Sequence, residues 1–262
     1  MSPAPKAILA KLGLAPLRSR GQNFISDRGL AGRLAAYIYA KADGPIVEIG
    51  PGLGALTGPL LAQGATVTAV EIDKGLATEL KNWPQNQTGE LKVLEMDALN
   101  LDLRRDLGPG PFMICGNLPY NISTQLLFWY LSQAEVAPKA VFMLQKEMAE
   151  RLTAKPGSRD YGRLTVAVGL WHEVKTVFDV PSLAFSPRPK VKSSVVLLTP
   201  KSIVPNISRE AVGRLTMAAF HARRKTLFNN LTRAYGRENT TRALESLSLE
   251  PSIRSEMLEP ET

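Results

Sequence analysis

The sequence predicts an α/β protein: a mostly parallel sheet of seven strands, covered on both faces, followed by a small all-α C-terminal domain. Three observations carry that prediction. Short apolar runs alternate with helical periodicity from residue 28 to residue 199. A Gly-x-Gly-x-Gly turn, Gly50-Pro51-Gly52-Leu53-Gly54, joins the first of those runs to the helix after it. Beyond a stretch interrupted by Pro200 and Pro205 the apolar period becomes wholly helical, with Val212, Leu215 and Ala219 on one face.

Taken in order, residues 1–26 form a basic N-terminal arm with four Lys/Arg and no acid. Strands are expected at 46–49, 66–72, 91–96, 112–115, 140–144, 174–180 and 194–199, the last two paired antiparallel. Helices are expected at 28–42, 55–63, 74–82, 123–132, 146–153 and 163–171. The sheet domain spans 27–200 and the helical domain 207–262, the latter opened by Ser208 as a cap with Glu210 in the first turn.

Composition narrows the function. Of 262 residues, 44% are hydrophobic and 21% charged, as a globular core requires. One cysteine, Cys115, excludes a disulfide framework and a cysteine-based zinc cluster. It also points to a reducing compartment, hence the cytoplasm. With only His172 and His221 available, a His-based metal site or catalytic triad is not expected. No run approaches the roughly 18 apolar residues of a membrane span. The net charge of +8 is unevenly placed. Residues 27–145 hold nine Lys/Arg against twelve Asp/Glu, residues 146–192 nine against five, and residues 209–242 eight against two. Basic flanks around an acidic centre suit a polyanion held by the flanks while the centre does the chemistry.

Two segments carry that chemistry. In Glu48-Ile49-Gly50-Pro51-Gly52-Leu53-Gly54 the glycines allow a tight turn and close approach of a ligand. Glu71 follows about twenty residues past the first glycine, where an acid can accept from ribose hydroxyls. Asp97 ends the third strand. Two cofactors compete here. A nicotinamide dinucleotide needs room for a pyrophosphate at the helix N-terminus. S-adenosyl-L-methionine has no phosphate, and three acids (Glu48, Glu71, Asp97) suit its cationic sulfonium better. The second segment is Cys115-Gly116-Asn117-Leu118-Pro119-Tyr120. The Asn117 oxygen and the Leu118 carbonyl can each accept from an exocyclic amine, Pro119 fixes the backbone, and Tyr120 can stack on a base. The plainer alternative is a strand-to-helix turn capped by Asn121 or Ser123.

The ordered series of motifs resembles the rRNA adenine N6-dimethyltransferases, most closely the bacterial small-subunit branch linked to kasugamycin sensitivity. It runs Gly21-Gln22-Asn23-Phe24, the glycine turn, Glu71, Asp97, Asn117 to Tyr120, Leu144-Gln145-Lys146-Glu147, Phe185-Ser186-Pro187-Arg188-Pro189-Lys190-Val191 and Phe220-His221-Ala222-Arg223-Arg224-Lys225. The resemblance implies a Rossmann-like seven-stranded S-adenosylmethionine-dependent methyltransferase fold. It implies N6,N6-dimethylation of two adjacent adenosines in the 3′-terminal hairpin loop of small-subunit (16S) rRNA during ribosome biogenesis. It places cofactor contacts on Asn23, Ile25, Gly50, Glu71, Asp97 and Asn117, to which the reading of the glycine turn adds Glu48 and Gly52. At position 25 the family more often has Leu, a change that a backbone contact would survive.

Adenine N6 is a poor nucleophile because its lone pair is delocalised into the ring. Acceptors at Asn117 and the Leu118 carbonyl would favour a tetrahedral nitrogen, so no general base is named. Such orientation can supply about 7–11 kcal/mol in favourable cases. Tyr120 and Phe185 are the expected stacking faces for a base taken out of its stack. Arg223, Arg224 and Lys225, fanned over a helix, are the expected RNA contacts, with the rim residues Lys155, Arg159 and Arg163. The expected partner is rRNA within an immature small ribosomal subunit, bound by a monomer without metal or membrane. Four readings stay open beside this one: a large-subunit (23S) rRNA adenine N6-methyltransferase conferring macrolide resistance, a mitochondrial transcription-factor relative, a non-catalytic small-subunit assembly factor, and a dehydrogenase.

Overall fold

Two strands buried at every residue, β2 (Ile46–Ile49) and β3 (Val67–Glu71), mark a sheet covered on both faces. The computed structural model describes residues 5–14, 21–202 and 207–262. A short helix, α1 (Pro5–Lys11), and a two-residue strand, β1 (Phe24–Ile25), precede α2 (Arg28–Tyr39). Asp27 caps α2 by accepting from the Leu30 N–H at 2.9 Å. After β2 come α3 (Thr57–Leu61), β3, α4 (Lys74–Lys81), α5 (Pro84–Thr88), β4 (Leu91–Glu95), α6 (Leu103–Leu107), β5 (Met113–Asn117), α7 (Ser123–Gln133) and β6 (Lys139–Gln145). The chain continues through α8 (Lys146–Leu152), α9 (Arg163–Gly169), β7 (His172–Val180), β8 (Phe185–Ser186) and β9 (Ser193–Pro200). Three helices close it: α10 (Arg209–Ala219), α11 (Leu227–Tyr235) and α12 (Arg237–Ser246).

All seven predicted strands are present, in one sheet of order β4-β3-β2-β5-β6-β9-β7. The pairs β2/β3, β3/β4, β2/β5 and β5/β6 are parallel. β9 lies antiparallel to β6 and sits between β6 and β7. From β2 the chain builds outward first through β3 and β4, then through β5 and β6 on the other side. The carboxyl ends of β2 and β5 therefore flank a topological switch point, where a cleft opens in sheets of this kind. β1 pairs antiparallel with β8, Ile25 opposite Phe185, as a separate two-stranded ribbon.

The chain divides into two compact units. The first comprises Met1–Lys146 and Thr176–Thr199, the second Glu147–Lys175 and Pro200–Thr262. The first holds the main core, in which Leu34 and Ile38 of α2 pack with Leu60, Val67, Cys115 and Val195. In the second, Ala219, Leu227, Leu231 and Leu244 join α10, α11 and α12. Residues 147–175 group with these helices, so the unit is larger than the 207–262 domain drawn from sequence. The cause is local packing: Leu170 and Trp171 bury against Val212 of α10, and the Arg209 guanidinium lies 4.8 Å from the Trp171 ring centroid. Of the basic arm, Arg18 and Arg20 lie outside the described residues. Leu9 of α1 is buried with Phe24 and Leu76.

Gly116 sets how closely β5 and β2 approach. A Cβ added there would sit 2.4 Å from the Ile49 carbonyl oxygen, backbone that cannot move without shifting a central strand. Gly116→Ala should lower stability by about 1–3 kcal/mol, measured by urea denaturation. A variant as stable as the wild type would show that the two strands can separate freely.

Candidate active site

The carboxyl ends of β2, β3 and β5 and the loop after β4 border a cleft of about 310 Å³, within the range of small-molecule sites. The glycine turn after β2 forms its floor. Gly52 has φ +58°, and a Cβ on it would lie 3.0 Å from two ring atoms of Phe24. Positive φ and a ring against the backbone both demand glycine. The helix expected from residue 55 begins only at Thr57, because the turn itself occupies residues 51–56.

The acids fall into three environments. Glu71 is 5% exposed, and its Oε2 accepts from the Gly52 N–H at 3.1 Å while Oε1 accepts from the Asp73 N–H at 2.9 Å. These bonds tie the glycine turn to the end of β3. Glu48 is 2% exposed and accepts from the Thr57 hydroxyl at 2.6 Å. Burial pushes its carboxyl up to about 7, against the lowering effect of the Thr57 bond and with a smaller push from Glu71. Asp97 accepts from the Leu99 N–H at 2.9 Å and so caps a single 3-10 turn, Ala98–Asn100, while also lining the cleft. Two buried carboxylic groups beside the turn make it hostile to a pyrophosphate and suited to a cationic, phosphate-free ligand.

Asn117 closes β5. Its carboxamide nitrogen donates to the Asn23 carbonyl at 2.9 Å, across 94 positions of sequence. That bond uses one of the nitrogen's two N–H groups and orients the carboxamide, whose oxygen is an acceptor. That Oδ1 is buried and has no hydrogen-bond partner among the described residues. A buried acceptor left unmet costs about 1–3 kcal/mol. An N–H supplied by a ligand in the cleft would remove that cost. Next along the chain, the Leu118 N–H donates to the Met143 carbonyl at 3.0 Å, which fixes the turn. The Tyr120 and Ser193 hydroxyls form a 2.7 Å hydrogen bond. Burial pushes the Tyr120 phenol above its ordinary range, so the ring stays neutral.

The structure brings Asn23, Ile25, Glu48, Gly50, Gly52, Glu71, Asp97, Asn117, Leu118 and Tyr120 to one cleft. It does not bring Phe185 there. Phe185 is 4% exposed, opposite Ile25, within the core of α2 and the sheet, and is not a cleft-lining residue. The expected second stacking face is corrected accordingly. Sequence reasoning missed the walls Phe24, Ile72 and Gln125. Ile72 falls at the end of the strand expected at 66–72, yet it lies just past β3 and is 51% exposed.

The predicted RNA contacts are also placed differently. Arg223, Arg224 and Lys225 are exposed in the turn between α10 and α11, not on a helix face. The turn is built around buried Asn230, which donates to the Ala219 and Ala222 carbonyls at 2.8 and 3.2 Å and accepts from the Ala222 N–H at 3.2 Å. Arg223 donates to the Ser158 carbonyl at 3.1 Å. The loop bearing Lys155 and Arg159 is thereby tied to the 223–225 turn.

Glu48 makes folding pH-dependent. Its folded pKa of about 7 lies above the ordinary value of 4.5, so folding favours its protonated form. The stability it contributes is complete below pH 4.5 and is lost as pH rises through 7. Between pH 5 and pH 8 the wild type should lose roughly 3 kcal/mol that Glu48→Gln does not, read by urea denaturation of both proteins. Parallel pH profiles would show that the Glu48 carboxyl titrates as it does in water.

The geometry has counterparts in known proteins. The family model described as ribosomal RNA adenine dimethylase matches residues 17–257. The chain is 44% identical over 245 residues to the ribosomal RNA small subunit methyltransferase A of Hahella chejuensis, covering 91% of this chain and 86% of the relative. It is 38% identical over 263 residues to the protein of the same name in Myxococcus xanthus, covering 98% and 92%. Among solved structures, a dimethyladenosine transferase from Plasmodium falciparum superposes with a TM-score of 0.69 at 28% identity, over 87% of this chain and 92% of that one. The 23S rRNA methyltransferase ErmE does so at 0.64 and 29% identity, over 91% and 96%. With nearly the whole chain matched, it belongs to the ribosomal RNA adenine dimethylase family.

Proposed function

We propose that this chain dimethylates N6 of two adjacent adenosines in the 3′-terminal hairpin loop of small-subunit (16S) rRNA, with S-adenosyl-L-methionine as methyl donor. The observation that carries the reading is the buried, partnerless Asn117 oxygen. It is an acceptor on a cleft-lining residue, and the bond from its nitrogen to Asn23 fixes the orientation of the carboxamide. An adenine amine has two N–H groups, and the Leu118 carbonyl is the natural acceptor for the second. Tyr120 supplies a neutral ring to stack on, worth about 1–3 kcal/mol. Bound S-adenosylmethionine supplies an activated methyl group. Glu71 and Asp97 would hold its polar parts, with the exposed Ile72 side chain as an apolar wall. Orienting the amine, rather than deprotonating it, is the work of the chain's own residues.

The target follows from the relatives named as small-subunit methyltransferases. The substrate would be an immature small subunit in the cytoplasm, bound by a monomer. Arg223, Arg224 and Lys225, on their Asn230-built turn, would neutralise phosphates. The ErmE likeness favours one competing reading, methylation of large-subunit rRNA.

Methyl transfer from labelled S-adenosylmethionine to undermethylated small and large subunits separates the two. Two adjacent N6,N6-dimethyladenosines near the small-subunit 3′ end are expected. Label confined to large-subunit RNA would move the target. Asn117→Ala should reduce transfer by at least about a hundredfold, the scale of lost orientation at a reacting group, while leaving subunit binding intact. Loss of binding in parallel would mean that this pocket and the basic turn are not separate functions. Arg224→Ala with Lys225→Ala should weaken RNA binding and reduce the log–log salt slope by about 2. An unchanged slope would remove the turn from the interface.

A further inference from the structure

Tyr120 is the one aromatic ring of the base-gripping turn that lines the cleft. Its ring plane turns about a terminal torsion that is intrinsically broad. The turn itself is secured by two bonds, from Asn117 to the Asn23 carbonyl and from the Leu118 N–H to the Met143 carbonyl. Neither reaches the Tyr120 ring. Among the described residues, the side-chain bond on that ring is the one between its hydroxyl and the Ser193 hydroxyl, 2.7 Å apart and 73 positions apart along the chain.

Ser193 is a fixed post. It is fully buried at the start of β9, opposite Gln145 of β6. On one side the Lys146 N–H donates to the Lys192 carbonyl at 3.0 Å. On the other the Ser194 hydroxyl donates to Asp179 at 2.6 Å, and the second oxygen of that carboxylate pairs with the Lys146 ammonium at 2.6 Å. The backbone that carries the serine hydroxyl is therefore held by the sheet on both flanks. A small buried hydroxyl whose recorded side-chain partner is an aromatic ring in the cleft does little for the core, which an alanine would fill as well.

We propose that Ser193 is a positioning residue for methyl transfer: its hydroxyl sets the ring plane of Tyr120, and through it the angle at which the target adenine presents N6. This rests on the adenine-N6 reading of the Asn117 cleft. Ser193 touches neither substrate nor cofactor on this assignment. Its effect must pass through the Tyr120 hydroxyl, so removing either end of the bond should have the same consequence.

A double-mutant cycle tests this with the full-length chain and undermethylated small subunits. Ser193→Ala and Tyr120→Phe should each lower kcat by about three- to tenfold, the scale of one hydrogen bond. KM for S-adenosylmethionine and the melting temperature should stay near wild type, and the double variant should be no worse than either single. Additive losses, or a loss in KM and stability without one in kcat, would overturn the assignment. Should Ser193→Ala not fold, Tyr120→Phe against Tyr120→Leu carries the test. Phe should show the partial loss and Leu a far larger one, whereas full activity in Phe would overturn the proposal. Asn117→Ala is the control for the reading underneath. If it is inactive while the cycle is additive, only the Ser193 assignment fails; if it is fully active, both fail.

Discussion

One hydrogen bond, from the Asn117 carboxamide nitrogen to the Asn23 carbonyl, decides what the cleft can recognise. A carboxamide offers a donor end and an acceptor end, and which end faces a ligand is settled by what the other end is doing. Here one N–H of the donor end is used inside the protein, which fixes the carboxamide's orientation and leaves its oxygen for a ligand. The bond also ties the segment before α2 to the end of a central strand. That segment's place rests in turn on the β1/β8 ribbon and on the Phe24 ring against Gly52. Recognition of an amine thus depends on tertiary structure gathered from three distant parts of the chain.

The acids beside the turn show how similar side chains acquire different chemistry. Glu71 accepts from a backbone N–H at each of its oxygens. Glu48 accepts from a hydroxyl, and its burial draws it toward the neutral form. A cation entering the cleft would relieve the repulsion between the two carboxyls rather than meet a wall of equal charges.

The seven strands and most helices were legible because buried strands read as apolar runs and turn residues bound them. The order of the strands was not, since the insertion of β9 between β6 and β7 is a long-range pairing that no local pattern encodes. Asn117, Glu71 and the glycines were legible because their chemistry is specific to type and spacing. Phe185 was not, because an aromatic residue after a short turn looks the same whether it faces a ligand or the core. Arg223 to Lys225 were misread as helical for a related reason. Their helix is ended by the side chain of Asn230, which reaches back from the next helix, and a window on the sequence cannot see that contact.

The partnerless Asn117 oxygen has a further consequence for turnover. An unmethylated adenine brings two N–H groups to the cleft, a monomethylated one brings a single N–H, and a dimethylated one brings none. Each methyl added therefore removes a donor that the buried oxygen or its neighbouring carbonyl would otherwise meet. With the finished base in place, the oxygen would face a methyl group and recover its full desolvation cost, about 1–3 kcal/mol. On the proposed reading, the group that holds the substrate also expels the product, and the reaction loosens its own complex as it goes.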